Sequence, residues 1–145
     1  MRNVLFCTTL ALGLVVSTVL AAQPAGKLSV NVSGLRSDSG VVRCGLYASA
    51  NDFRKPGRER SGVVARPSGQ RATCVFNGVP AGTYAIAVFH AEQNETQIEY
   101  GMFGKPKQGY GFSRNPSSNF GPPNFEAAAF NFPGGNQSLS VSLQY

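Results

Sequence analysis

Acid–base or nucleophilic chemistry in this chain would have to run through His90, its only histidine. A hydrolytic site needs a nucleophile, a base and a group that orients the base, and Tyr110 and Ser113 lie in a downstream segment that could approach His90. A lone histidine at the end of an apolar strand, however, is the ordinary position of a structural hydrogen-bonding group. A zinc site fails for shortage of ligands. No catalytic residue, metal or cofactor is therefore assigned, and a small hydrolase or metal-dependent enzyme using His90 is kept only as the alternative to a non-enzymatic role.

Binding chemistry is better represented. Gly109-Tyr110-Gly111-Phe112 presents rings on a glycine-flanked backbone, with Lys105, Lys107, Ser113 and Arg114 nearby in sequence. Ring faces take up sugars and other flat surfaces, and cationic groups beside them favour acidic ones. His90, Lys105, Lys107, Tyr110, Phe112, Ser113 and Arg114 are thus the candidate binding residues; the competing reading is that the rings only cover a sheet. A second basic stretch, residues 51–66, carries Arg54, Lys55, Arg58, Arg60 and Arg66 around Pro56-Gly57. It reads as a solvated loop or a second anion site.

The elements that position these residues follow an export leader. Met1-Arg2-Asn3 gives a positive start, Val4 to Leu20 is an uncharged apolar run, and Val19-Leu20-Ala21 suits cleavage before Ala22 or Gln23. Residues 1–22 read as a signal peptide and 23–145 as a single domain. The run is short for a bilayer span and contains Thr8, Thr9, Ser17 and Thr18, so no stable membrane insertion is expected after cleavage. The destination is periplasmic or secreted. Removal of the leader also removes Cys7 and leaves Cys44 and Cys74, which should pair in an oxidising compartment. A metal pair or two buried free thiols are the alternatives, without a neighbouring histidine or a CxxC spacing to favour them. Closing a loop of about thirty residues would contribute roughly 3 to 4 kcal/mol. With a net charge of +6, and +5 once the leader has taken Arg2 with it, the expected partners outside the cytosol are an envelope protein or an anionic or glycan polymer rather than nucleic acid. Oligomeric state leaves no trace in the sequence.

Low charge content (14%), with 17 glycines and 9 prolines, favours short strands over helices. Leu28, Val30 and Val32 alternate with polar residues; so do Val42, Cys44 and Leu46, and Ala72, Cys74 and Phe76, which turns both cysteines inward. Gly62 to Ala65 adds a short strand. From Thr83 to His90 both faces are apolar, Tyr84, Ile86 and Val88 on one and Ala85, Ala87 and Phe89 on the other, so the second face needs a cover. Residues 91–126, with Tyr100, Phe103, Tyr110, Phe112, Phe120 and Phe125 and no strand periodicity, would supply it. Ala128, Phe130 and Phe132 alternate again, Pro133-Gly134-Gly135-Asn136 reads as a hairpin, and Leu139, Val141 and Leu143 close the chain. The expected fold is all-β: an immunoglobulin-like sandwich of about seven strands with one long aromatic, Gly/Pro-rich loop.

Three segments, Pro80 to His90, Gly104 to Ser113 and Gly121 to Phe130, resemble in order and spacing the bacterial exported family known as domain of unknown function 2141. The resemblance covers about Leu28 to Leu143. It implies a periplasmic or secreted immunoglobulin-like sandwich, similar to transthyretin-like and carboxypeptidase-regulatory-like modules that share a Pro-x-Gly-x-Tyr turn, and it implies no activity. Members often follow the strand histidine with an acidic, Asn- and Gly-rich stretch that looks like a calcium loop. Here that stretch is Ala91 to Glu99, without the leading aspartate or a glycine for the turn. Glu92, Glu95 and Glu99 could still approach a cation, but solvated carboxylates are the simpler expectation.

Overall fold

The computed structural model describes residues 14–21, 24–117 and 119–145. Cys7 and most of the expected leader lie outside them; Leu14 to Ala21 is exposed and irregular. Among the described residues no helix is long and apolar enough to cross a membrane.

Strands dominate: β1 (Ala25–Ser33), β2 (Val41–Tyr47), β3 (Ser61–Ala65), β4 (Ala72–Pro80), β5 (Gly82–Ala91), β6 (Tyr110–Phe112), β7 (Phe130–Phe132) and β8 (Gly135–Ser142). They form two sheets, ordered β4-β1-β8 and β3-β2-β5-β6, with β7 continuing along β5. The period-two apolar residues read from the sequence make the shared core. Leu28, Val30 and Val32 of β1, Cys74 and Phe76 of β4 and Val141 of β8 meet Val42, Cys44 and Leu46 of β2 and Tyr84, Ile86 and Val88 of β5, all buried. Each such side chain removed from water contributes on the order of 1.5 to 3 kcal/mol. A Cys44–Cys74 disulfide ties β2 to β4, and so joins the two sheets.

Three expectations are corrected. Pro133 to Asn136 is not a hairpin, because β7 pairs with β5 while β8 runs parallel to β1, Val30 opposite Leu139 and Val32 opposite Val141. Gly134 (φ 88°) and Gly135 (φ 71°) instead carry the chain from one sheet to the other, over Pro24. Ala128 ends a one-turn helix, α1 (Phe125–Ala128), rather than starting a strand; Asn124 caps it by accepting from the Ala127 N–H at 2.9 Å.

The third correction concerns residues 91–126. This segment contains β6, which pairs with β5 through Ala87–Phe112 and Phe89–Tyr110, and its rings cover the outer face of β5 only in part. Phe112 is buried and Tyr110 and Phe125 half-buried, but Tyr100, Phe103 and Phe120 are exposed. Phe53, from the basic loop, supplies the remaining cover: with Tyr47, Ala85, Phe112 and Ala128 it forms a second cluster of edge-to-face rings.

Candidate functional site

The outer face of the larger sheet is built in rows by strand register. Val64, Arg43, Phe89 and Tyr110 lie opposite one another across β3, β2, β5 and β6. The next row is Gly62, Gly45, Ala87 and Phe112. Small residues in that second row leave a trough between taller neighbours, and the Tyr47 ring fills its middle. Tyr47 folds its ring back over Gly45, where a Cβ would lie 2.9 Å from Cε2, while Gly62 opens to free space except for Glu59 at 3.8 Å. Burial, and secondarily Glu59, pushes the Tyr47 hydroxyl up to about 12 against the opposing pull of Arg54, so it stays neutral over the ordinary pH range.

Two loops wall this trough. In the β2–β3 loop, Asp52 accepts from Ser49 Oγ at 2.9 Å and from Arg58 Nε at 3.0 Å, and the Arg60 N–H donates to the Leu46 carbonyl at 2.8 Å. Both side-chain donors, Ser49 first, hold the Asp52 carboxyl below its usual range. The basic stretch is therefore an ordered wall. Arg58 is spent on Asp52, and Arg54 is left at the groove, its guanidinium 5.9 Å from the Phe53 ring centre. On the opposite side the Gly101 N–H donates to the Lys105 carbonyl and the Lys107 N–H to that of Glu99, both at 2.8 Å. Buried Gln108 accepts from the Glu99 N–H at 2.8 Å. Phe103 tips this loop in the left-handed region (φ 65°) with its ring wholly in solvent. A bulky residue there is strained, and strain of this kind clusters at ligand sites. Between the walls lies a groove of about 560 Å³, lined among others by Arg43, Tyr47, Arg54, Glu59, Tyr100, Phe103, Lys105, Tyr110 and Phe112. That volume falls within the roughly 300 to 1,000 Å³ usual for small-molecule sites.

Of the candidate residues, the structure brings Lys105, Tyr110 and Phe112 into this groove, and it merges the second basic segment with them through Arg54. Lys107 faces Glu99 at 3.6 Å. Ser113 is buried, accepting from the Ile86 N–H at 2.9 Å and donating to the Ala128 carbonyl at 2.5 Å. With Arg114 it borders a separate hollow of about 120 Å³ beside Phe130 and Leu139. Arg43, Tyr47, Gly45 and Gly62 went unnoticed in the sequence. Their signal was the outward register of β2 and β3, which only becomes a surface once the pairing is known.

His90 is fully buried on the inner face. Its Nε2 lies 2.7 Å from the Ser39 carbonyl, which can only accept, so the proton sits there. Nδ1 then accepts from the Tyr145 hydroxyl at 2.8 Å, and that oxygen accepts from the Arg36 N–H at 3.1 Å. Both ring nitrogens are used in holding β5, the β1–β2 loop and Tyr145 together. Beside them Glu92 accepts from Arg36 Nε at 2.9 Å and from Ser37 Oγ at 2.7 Å. The Arg36 hydrogen bond, aided by Ser37, takes the Glu92 carboxyl down to about 2. Glu95 accepts from the Gln93 N–H and Glu99 faces Lys107, so the carboxylates of this stretch are engaged separately. Among the described residues no group of three metal-ligating side chains converges.

No curated protein and no solved structure shows significant similarity to the chain. Residues 30–140, which hold nearly all of both sheets and both walls of the groove, match the profile of a family described as uncharacterized protein conserved in bacteria, DUF2141, and the chain belongs to that family.

Proposed function

We propose that this protein is exported, folds outside the cytosol as an immunoglobulin-like sandwich, and acts as a non-enzymatic binding module. Its partner, an envelope protein or polymer, is held in the groove between the β2–β3 loop and the β5–β6 loop. Two sheets sharing one core across a disulfide support the sandwich, and the disulfide supports an oxidising compartment. The engagement of both His90 nitrogens supports a structural use of the only imidazole. One observation carries the binding role: an open groove of about 560 Å³ lined by Arg54, Lys105 and Arg43, whose Nε also donates to the Glu95 carbonyl at 2.7 Å, with Glu59 the one carboxylate in that lining, beside exposed rings.

Titration of the processed protein with polygalacturonate, and with neutral dextran as control, tests this reading by NMR. Polygalacturonate should shift the amides of the groove and dextran should not. The polymer should bind several-fold more weakly to Lys105→Gln and Arg54→Gln, an effect that shrinks as salt screens the charges. If no acidic polymer and no envelope protein engages the groove, the chain is a structural accessory domain. N-terminal sequencing of material recovered from outside the cytosol should begin at Ala22 or Gln23; an intact leader inside the cell would refute export.

A further inference from the structure

Two contacts guard the outer edge of β8, and they stop halfway along it. Gln144 exchanges backbone hydrogen bonds with Tyr110, both at 2.9 Å. Next to it the Asn115 side chain accepts from the Ser142 N–H at 2.8 Å, and its Nδ2 donates to the Ser140 carbonyl at 3.4 Å. The Asn115 amide thus stands where the peptide group of a neighbouring strand would. Leu143, by contrast, donates to Ser33 on the β1 side. Successive residues of a strand turn their peptide groups to opposite edges, so Asn136, Ser138 and Ser140 present theirs outward. Among the described residues no backbone group pairs with Asn136 or Ser138 on that edge.

Cover of the inner face fades over the same stretch: Val141 is buried, Leu139 half-buried and Gln137 exposed, although all three point the same way. Beside Gln137 and Leu139 opens the hollow of about 120 Å³, lined also by Leu28, Phe130 and Phe132 and bordered by Arg114. A cavity of roughly 150 Å³ takes up benzene, so this one has room for a single branched aliphatic side chain. An open edge invites another strand, and proteins blunt theirs with charge, proline or a bulge. Gly135 to Ser142 carries no charged residue and no proline, and it pairs with β1 without a break in register. The edge strands β3 and β4 differ, the one bracketed by Arg60 and Arg66 and the other ending in Pro80.

We infer that the free half of the β8 edge takes up an extended peptide of another protein as a fourth strand of the smaller sheet, with an aliphatic side chain in the hollow and a carboxylate at Arg114. A second β8 suits the place less well. Arg114 pairs with no carboxylate among the described residues, and residues 127–145, which a second copy would bring, contain no acidic side chain. Backbone hydrogen bonds would supply affinity, and the hollow and Arg114 specificity. None of the residues lining the hollow lines the groove, so this site stands whether or not the groove is occupied.

The probe is the blocked peptide acetyl-Asp-Thr-Val-Thr-Asp-amide. As a strand it turns valine and both aspartates to one face, so docking in either direction brings a carboxylate to Arg114. Titrated into the processed protein and followed by NMR, it should shift the amides of Asn136, Ser138 and Ser140 and leave Gly45 and Gly62 in the groove unmoved. Hydrogen exchange at Asn136 and Ser138 should slow at least about fivefold with bound peptide. Ser138→Pro removes an outward N–H without touching the β1 ladder, and binding should fall at least about tenfold while the rest of the spectrum is retained. Arg114→Gln should weaken binding roughly three- to tenfold, less so at high salt. Peptides N-methylated at both threonines, or with glycine in place of valine, should bind at least about tenfold more weakly. Absence of shifts at Asn136 and Ser138 up to millimolar peptide would overturn the inference, as would binding indifferent to Ser138→Pro and to N-methylation. Shifts confined to the groove would overturn it too and leave the groove reading intact. Sedimentation showing a dimer that Ser138→Pro dissociates would give the edge to a second copy and sink the peptide site.

Discussion

His90 and Glu92 are neighbours of the same clasp, yet they respond differently to change. Replacing His90 with Phe keeps the bulk but leaves the Ser39 carbonyl and the Tyr145 hydroxyl without their partner. The loss should be about 1 to 3 kcal/mol, read from the urea midpoint, with groove binding unchanged because His90 does not line the groove. Glu92 has a folded-state carboxyl lowered from 4.5 to about 2, chiefly by its hydrogen bond from Arg36. A depressed acid contributes stability that is complete above its unfolded value and lost as pH falls through the folded one. Stability should therefore drop between pH 4.5 and about 2, and Glu92→Gln should flatten that limb of a stability-against-pH curve. Arg36 is more than half exposed, so solvent screening keeps that drop small. The place of His90 near the end of an apolar strand was legible in the sequence. Its partners were not, because Ser39 and Tyr145 reach it from other elements.

At the scale of elements, alternation in β1, β2, β4 and β5 was legible because each has one face in the shared core. β6 was not, being Tyr110–Phe112 only and held by its neighbours rather than by a pattern of its own. Gly111 shows why a glycine stands there: a Cβ would lie 2.6 Å from the Ser142 carbonyl oxygen and 2.8 Å from Val141 Cγ1. Gly111→Ala should push β6 off β8 and destabilise the protein by about 1 to 3 kcal/mol, measured by denaturant titration, and should loosen the Tyr110–Gln144 bridge in hydrogen exchange. The Pro133-Gly134-Gly135 turn misled for a related reason. Its residues satisfy a hairpin, but local chemistry cannot say that the next strand finds its partner in β1 on the other sheet. Likewise the basic and aromatic loops were each visible as candidate sites, while their meeting across one trough depended on β2 and β3 pairing in register.

Across the whole molecule, the smaller sheet has no interior of its own, β1, β4 and β8 burying their apolar faces against the larger sheet, which keeps apart from that shared core only the small cluster around Phe53. Separating the sheets would expose the entire core at once, so an unfolding route that melts one and spares the other has no stable midpoint. The disulfide and the His90–Tyr145 clasp add links between segments far apart in sequence, 30 residues for Cys44–Cys74 and 55 for His90–Tyr145. Far-UV circular dichroism reports the strands, and tyrosine fluorescence reports the packing through 5 tyrosines with no tryptophan. Both probes should trace one coincident transition in urea. The Cys44→Ala/Cys74→Ala variant should move that transition to lower denaturant by the equivalent of about 3 to 4 kcal/mol without splitting it, because the crosslink acts mainly on the unfolded chain. Two resolved transitions in the oxidised protein would mean that the sheets are stable apart. The groove could then not be treated as rigid, since the strands that form its floor are held in place by the core they share with the smaller sheet.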